Sequence, residues 1–184
     1  MFEKILAGLG TVLQTHEIPY MIIGGQAVLL YGEPRLTRDI DITLGVDIDH
    51  LDKLLGVAEE MSLKPLPPDI PKFVQQTMVL PCLHEETGIR VDFIFSYTPY
   101  ETQAIQRANK VMIKNTNVCF ASVEDLIIHK IFAGRPRDLE DVRSILLKNT
   151  DTDKDYINKW LKQFDASSQE NDFLKKFRTI LSDI

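Results

Sequence analysis

The chain has 184 residues, is 44% apolar and 26% charged, and carries a formal net charge of −6. That composition is ordinary for a globular protein with one proper core, and no apolar run reaches the length of a membrane helix, so no membrane partner is expected. The acidic balance excludes a protein that coats nucleic acid over its whole surface, though a local basic patch would still serve a nucleic-acid substrate.

The start, "MFEKILAGLG", carries an acid and a base early and lacks the layout of a secretory leader, so a cytoplasmic protein is expected. Phe2, Ile5, Leu6, Leu9 and Leu13 recur at helical spacing and predict a helix over 2–15. "PYMIIGG" reads as a short strand ending in glycines, and "QAVLLYG" as a short helix stopped by Gly32 and Pro34. "DIDITLGV" reads as a strand, and 48–60 as a helix capped by Asp47 or Asp49. Four prolines in "LKPLPPDIP" predict a loop, because proline can neither continue a helix nor sit in a central strand. "VQQTMVLPCL" and "IRVDFIFS", joined by "HEETG", form a hairpin signal. A short helix is expected over 99–107, and "KVMIKNTNVCFAS" reads as a second hairpin turning at Asn115-Thr116-Asn117. From Ser122 the spacing is helical, over 122–133, 136–148, 153–164 and 169–182. The expected fold class is α+β: a core over 1–121 built on a small mixed sheet flanked by helices, and a helical C-terminal part over 122–184 packed on it. Cys82 and Cys119 lie far apart in apolar runs and are expected to be buried free thiols.

The chemistry gathers around "DIDITL". Period-two alternation sends Ile40, Ile42 and Leu44 to one face and Asp39, Asp41 and Thr43 to the other. Two carboxylates on one strand face repel unless a cation lies between them, and a divalent metal such as Mg²⁺ is the natural partner. In "IRVDFIF" the same alternation puts Arg90, Asp92 and Ile94 opposite an apolar face, so Asp92 is a third candidate ligand. Three carboxylates can hold two metals, as in-line phosphoryl displacement requires. The bland alternative is an exposed set of acids paired by Arg35, Arg38 or Arg90. Asp is disfavoured in strands, and three on apolar strands favour the site.

Gly24-Gly25 precedes the short helix. Glycine there lets the backbone approach a ligand, and the free N–H groups at a helix start favour an anion such as a triphosphate; a plain strand-to-helix turn is the alternative. Gly24-Gly25, a short helix, Asp39-Ile40-Asp41-Ile42 and a later Asp92 together resemble the signature of the DNA polymerase beta-like nucleotidyltransferase superfamily. The resemblance implies a nucleotidyltransferase fold and transfer of a nucleoside monophosphate from an NTP to a hydroxyl, with release of pyrophosphate. It implies that Gly24 and Gly25 cradle the triphosphate with Arg38, and that Asp39, Asp41 and Asp92 hold two Mg²⁺ ions, Mn²⁺ being an alternative. Asp92 would also help to take the acceptor's proton.

Within the superfamily, "GGQAVLLYGEPRLTRDIDI" and "HKIFAGRPRDLEDV" look most like AbiEii-type toxins, with Lys130, Arg137, Asp138 and Asp141 fitting that family's second motif. The spacing places Lys130 in the apolar stripe of Leu126, Ile127 and Ile131, where an ammonium must snorkel out or meet an anion. A phosphate or carboxylate partner is expected, with Lys130 serving the nucleotide and catalysis. Lys130→Ala is expected to leave the fold intact. Asp138 and Asp141 could instead simply favour the helix dipole after Pro136. The expected function is a toxin-like transferase acting on an RNA 3′ end, tRNA included, or on a protein hydroxyl, with a cognate antitoxin as a partner. The alternatives are an aminoglycoside-type small-molecule transferase and a catalytically weak, nucleotide-binding, antitoxin-like regulator. Arg35, Arg38, Lys130, Arg135, Arg137 and Arg143 are the candidates for a basic surface that would favour RNA.

Overall fold

A computed structural model describes residues 2–167 and 172–184. The chain opens with α1 (Phe2–Thr15), whose buried face is Ile5, Leu6, Leu9 and Leu13. Strand β1 (Tyr20–Ile23) runs directly into α2 (Gly24–Tyr31), which Gly32 ends. Strand β2 (Asp39–Leu44) follows, then a 3₁₀ turn (Ile48–His50) capped by the Asp47 side chain, which accepts from Asp49 N, and α3 (Leu51–Glu60).

The next segment differs from the sequence expectation. "LKP" is a short strand, β3 (Leu63–Pro65), and the proline-rich run ends in a helix, α4 (Ile70–Thr77). Asp69 caps α4 by accepting from Lys72 N, and Pro71 sits in its first turn, where a missing N–H costs nothing. "VQQT" is thus helical, Met78 is left-handed (φ 58°), and strand β4 begins only at Val79 (Val79–His84).

The remaining hairpins stand where the alternation put them. β4 pairs antiparallel with β5 (Ile89–Phe95). After α5 (Pro99–Gln106), β6 (Asn109–Ile113) and β7 (Thr116–Phe120) pair through a turn at Lys114 and Asn115, leaving Thr116 in the strand. Four helices follow: α6 (Val123–Ala133), α7 (Pro136–Lys148), α8 (Lys154–Ser167) and α9 (Phe173–Ser182). The expected start of the last helix at 169 falls outside the described residues.

The strands form one seven-stranded mixed sheet among the described residues, in the order β3-β4-β5-β2-β1-β7-β6. β2 runs antiparallel to β1 and parallel to β5. Ile40, Ile42, Leu44, Val91, Phe93 and Phe95 are buried on one face, as their period requires. The same hydrophobic core continues into α6–α9 through Leu126, Ile131, Ile145, Trp160 and Phe177. Cys82 is buried and Cys119 half-buried, both free thiols. No described helix is long and apolar enough to cross a membrane.

Candidate active site

The register of β2 on β5 decides what meets what. Asp39 lies beside Arg90 and Asp41 beside Asp92, on the sheet face opposite the buried Ile40, Val91 and Phe93. Asp41 is half-buried, and its carboxyl is pushed up to about 6, first by burial and then by the charges of Asp39 and Asp92; Lys130 and Arg135 oppose the shift. Three acids therefore share one electrostatic neighbourhood.

The glycines belong to these acids. Gly24 starts α2 with φ +64°, and a Cβ there would lie 1.9 Å from Asp41 Oδ2. A Cβ on Gly25 would lie 2.4 Å from Thr37 Oγ1. Both absent side chains leave room for the site's own groups, whereas the sequence reading assigned that room to a triphosphate. Thr37, buried in the lead-in to β2, donates from Oγ1 to Asp39 Oδ1 at 2.8 Å. Its role escaped the sequence reading; the signal was its place two residues before Asp39, within reach of a local side-chain bond.

A basic corner stands beside the acids. Ser122 caps α6, its hydroxyl accepting from Asp125 N. Gly134 (φ +64°) closes the helix, and Pro136 opens α7 at once. This tight corner sets the last turn of α6 against the first turns of α7. Lys130, buried, donates to Asp138 Oδ1 at 2.7 Å and lies 2.9 Å from Asp141 Oδ2. Arg35 grips Asp141 through Nε and Nη2, each at 3.1 Å. Arg135 meets Asp138 Oδ2 at 2.6 Å. Burial works against the charge of Asp138, but hydrogen bonds from Arg135 and Lys130 hold it below the usual carboxylate range. Three cations over two carboxylates leave one positive charge in surplus, and Asp41 feels it through Lys130 and Arg135.

The family described as nucleotidyltransferase of unknown function (DUF6036) matches residues 2–182. The chain is a nucleotidyltransferase of that family. Its fold is similar to that of the antibiotic-resistance factor ANT(2″)-Ia in solution, with a TM-score of 0.61 and 16% identity over 90% of this chain and 91% of that one. An antigenic nucleotidyltransferase-like protein from Paracoccidioides brasiliensis gives a TM-score of 0.56 and 17% identity, over 91% and 88%. Lincosamide antibiotic adenylyltransferase LnuA, lincomycin-bound, gives 0.50 and 20%, over 73% and 90%. At these identities the likeness speaks for the fold. No curated protein matches the chain.

Nucleotidyltransferases work on NTPs, generally with divalent metals, and this one's acids fit a cation in part. The buried, like-charged surroundings of Asp41 are a deficit that a divalent ion would fill, with Asp39 as second ligand. Asp92 is already engaged: Arg90 Nε lies 2.7 Å from its Oδ1. No group of three His, Cys, Asp or Glu side chains that could hold a metal stands ready among the described residues.

The other expected groups are placed as follows. Arg38 and Arg137 are exposed, each without an ion pair among the described residues. Arg143 pairs with Asp183 at 3.2 Å and belongs to the far side of α7. Lys130 meets carboxylates, one of the two kinds of anion its stripe position allowed. The expectation that its truncation is neutral for the fold does not hold, because two buried carboxylates depend on it.

Proposed function

We propose that this nucleotidyltransferase moves a nucleoside monophosphate from an NTP to a hydroxyl of an anionic acceptor, an RNA 3′ end in particular. The observation that carries the reading is the register pair Asp41–Asp92 with Asp39 on the same face, beside the cationic corner of Lys130, Arg35 and Arg135. Asp39 and Asp41 would hold Mg²⁺, or Mn²⁺ in its place, and Asp92 would complete a two-ion site. The bound metal would supply charge neutralisation at the phosphates and a more acidic acceptor hydroxyl.

The chain's own residues do the rest. Arg135, three-quarters exposed and anchored by Asp138, is placed to take a phosphate oxygen. Lys130 orients Asp138 and Asp141 and adds positive potential from beneath. The acceptor oxygen bonds to the α-phosphorus while the bond to the bridging pyrophosphate oxygen breaks. The hydroxyl proton passes to the Asp92 carboxylate, which stands beside Asp41 in register, and pyrophosphate leaves with the broken bond's electrons. Positioning and charge carry the catalysis.

Arg90 and Arg135 lie within electrostatic reach of Asp39 and Asp41 and, with the exposed Arg38 and Arg137 next to Asp39 and Asp138 in sequence, would form a basic rim that suits RNA and repels a polycationic aminoglycoside. The toxin-like role, with a cognate antitoxin, extends the AbiEii resemblance. The presence of all three acids speaks against a catalytically weak regulator. Incubation with each α-labelled NTP, Mg²⁺ and, in parallel, total RNA or an aminoglycoside tests the reading. Label on RNA, lost in Asp39→Ala, is the expected result. Label on an aminoglycoside alone, or on nothing with any NTP, would overturn it.

A further inference from the structure

Arg90 stands where the site's third acid is needed. It follows Ile89 at the start of β5, beside Asp39 in register and two residues before Asp92, so its side chain shares the face of all three acids. Its Nε lies 2.7 Å from Asp92 Oδ1. Half of the Arg90 side chain is open to solvent, while Asp92 is less than one-fifth exposed. The guanidinium can thus leave without disturbing the core, whereas the carboxylate is fixed by its strand.

The site has two basic sides. On the α6–α7 side Lys130 and Arg35 are engaged with Asp138 and Asp141, and Arg135, three-quarters exposed above them, is the guanidinium open to a triphosphate oxygen. On the β5 side Arg90 is the cation in the acids' register. With the triphosphate on the first side, the second is left to the acceptor. With Arg90 on Oδ1 the Asp92 carboxylate is neutralised and offers a metal one oxygen only, so a divalent ion binds there weakly until the guanidinium is drawn away. Another anion is what would draw it.

Resting on the nucleotidyltransferase reading, we infer that Arg90 is a lock on Asp92, and that the lock is opened by a phosphate of the acceptor itself. Arg90 is then a positioning and selecting residue. It keeps the third acid out of metal binding until a hydroxyl flanked by a phosphodiester arrives, and it turns to that phosphate when it does. A neutral or cationic acceptor leaves the lock closed.

The test is metal binding, read without turnover. Mn²⁺ binding to the purified protein is followed by electron paramagnetic resonance and calorimetry, with and without a short RNA ending in a 3′-deoxynucleotide, which cannot accept. The wild-type protein is expected to bind one Mn²⁺ alone and a second when the RNA is added. Arg90→Gln is expected to bind both Mn²⁺ ions without RNA, the second at least tenfold tighter than wild type, and to gain nothing from RNA. Arg90→Lys, which keeps the charge, is expected to stay closer to wild type. Circular dichroism checks that each variant is folded. Identical isotherms for wild type and Arg90→Gln would overturn the lock. An RNA that leaves wild-type Mn²⁺ binding unchanged, or a polyamino sugar that tightens it in the RNA's place, would overturn the acceptor's role. Because no transfer is measured, these outcomes stand apart from failure of the transferase reading, which would appear as no labelled product with intact Mn²⁺ binding.

Discussion

Two glycines show how differently one residue type can be constrained. Gly24 and Gly88 share a left-handed backbone, φ +64° and +69°, but a Cβ at Gly24 would strike Asp41 whereas nothing lies within 4 Å at Gly88. Alanine at either site costs about 1–2 kcal/mol in backbone strain. Only Gly24→Ala should also displace the Asp41 carboxylate, the proposed metal ligand, and misplacement of a catalytic group by about 1 Å costs roughly 100-fold in rate. Gly88→Ala should therefore lower the urea midpoint and leave turnover unchanged, while Gly24→Ala loses both. His129 offers a second residue-scale outcome. Its Nε2 is buried with no hydrogen-bond partner, the Tyr100 ring is 5.7 Å away, and burial pushes the imidazole down to about 4. The unfolded chain therefore binds this proton first, near pH 6.5, and the native state must exclude it. Stability from this group is complete above pH 6.5 and is lost as pH falls toward 4, by roughly 3 kcal/mol. His129→Gln should flatten that part of the denaturation profile; an unchanged slope between pH 6.5 and 4 would show the imidazole to be solvated.

At the scale of elements, the α6–α7 corner turns electrostatics into geometry. Lys130 lies in the last turn of one helix and Asp138 in the first turn of the next, so each charge also complements its helix dipole. Removing one partner of a buried pair costs about 3–5 kcal/mol. Arg35 and Arg135 remain on the two carboxylates, so Lys130→Ala should fall near the lower end, about 3 kcal/mol in urea unfolding. Lys130→Met, which restores bulk without charge, should not recover it. This corner also marks how far the sequence could be read. Strands β2 and β5 were legible because Ile40, Ile42, Val91 and Phe93 alternate with Asp39, Asp41, Thr43, Arg90 and Asp92, and that alternation alone brought the three acids to one face. Helix α4 was hidden because its prolines argue for a loop until Pro71 is placed in a first turn, and its short "VQQT" end carries too few apolar residues to show a period. Alternation assigns a side chain to a face but not to a partner. It could not tell whether Asp92 waits for a metal or already holds Arg90, nor that Gly25 makes room for Thr37.

Over the whole molecule the net charge of −6 and the basic rim of the site oppose each other. RNA should be repelled from most of the surface and captured at one place. If about four arginines (Arg38, Arg90, Arg135 and Arg137) meet phosphates, log K for a short single strand should fall against log salt with a slope near −3. A slope near zero, read by fluorescence anisotropy, would move the RNA away from this rim. The same rim depends on contacts that close very long loops. Arg35 reaches Asp141 across 106 positions, Lys148 reaches the carbonyl of Gly32 across 116, and Asn149 that of Tyr31 across 118. Such closures cost chain entropy before they return any stability, and they form late in folding. During synthesis the three acids leave the ribosome well before Lys130, Arg135 and α7 exist to neutralise them. A nascent chain stalled at residue 121 should bind no nucleotide, and nucleotide binding should appear only once nearly the whole chain has been translated.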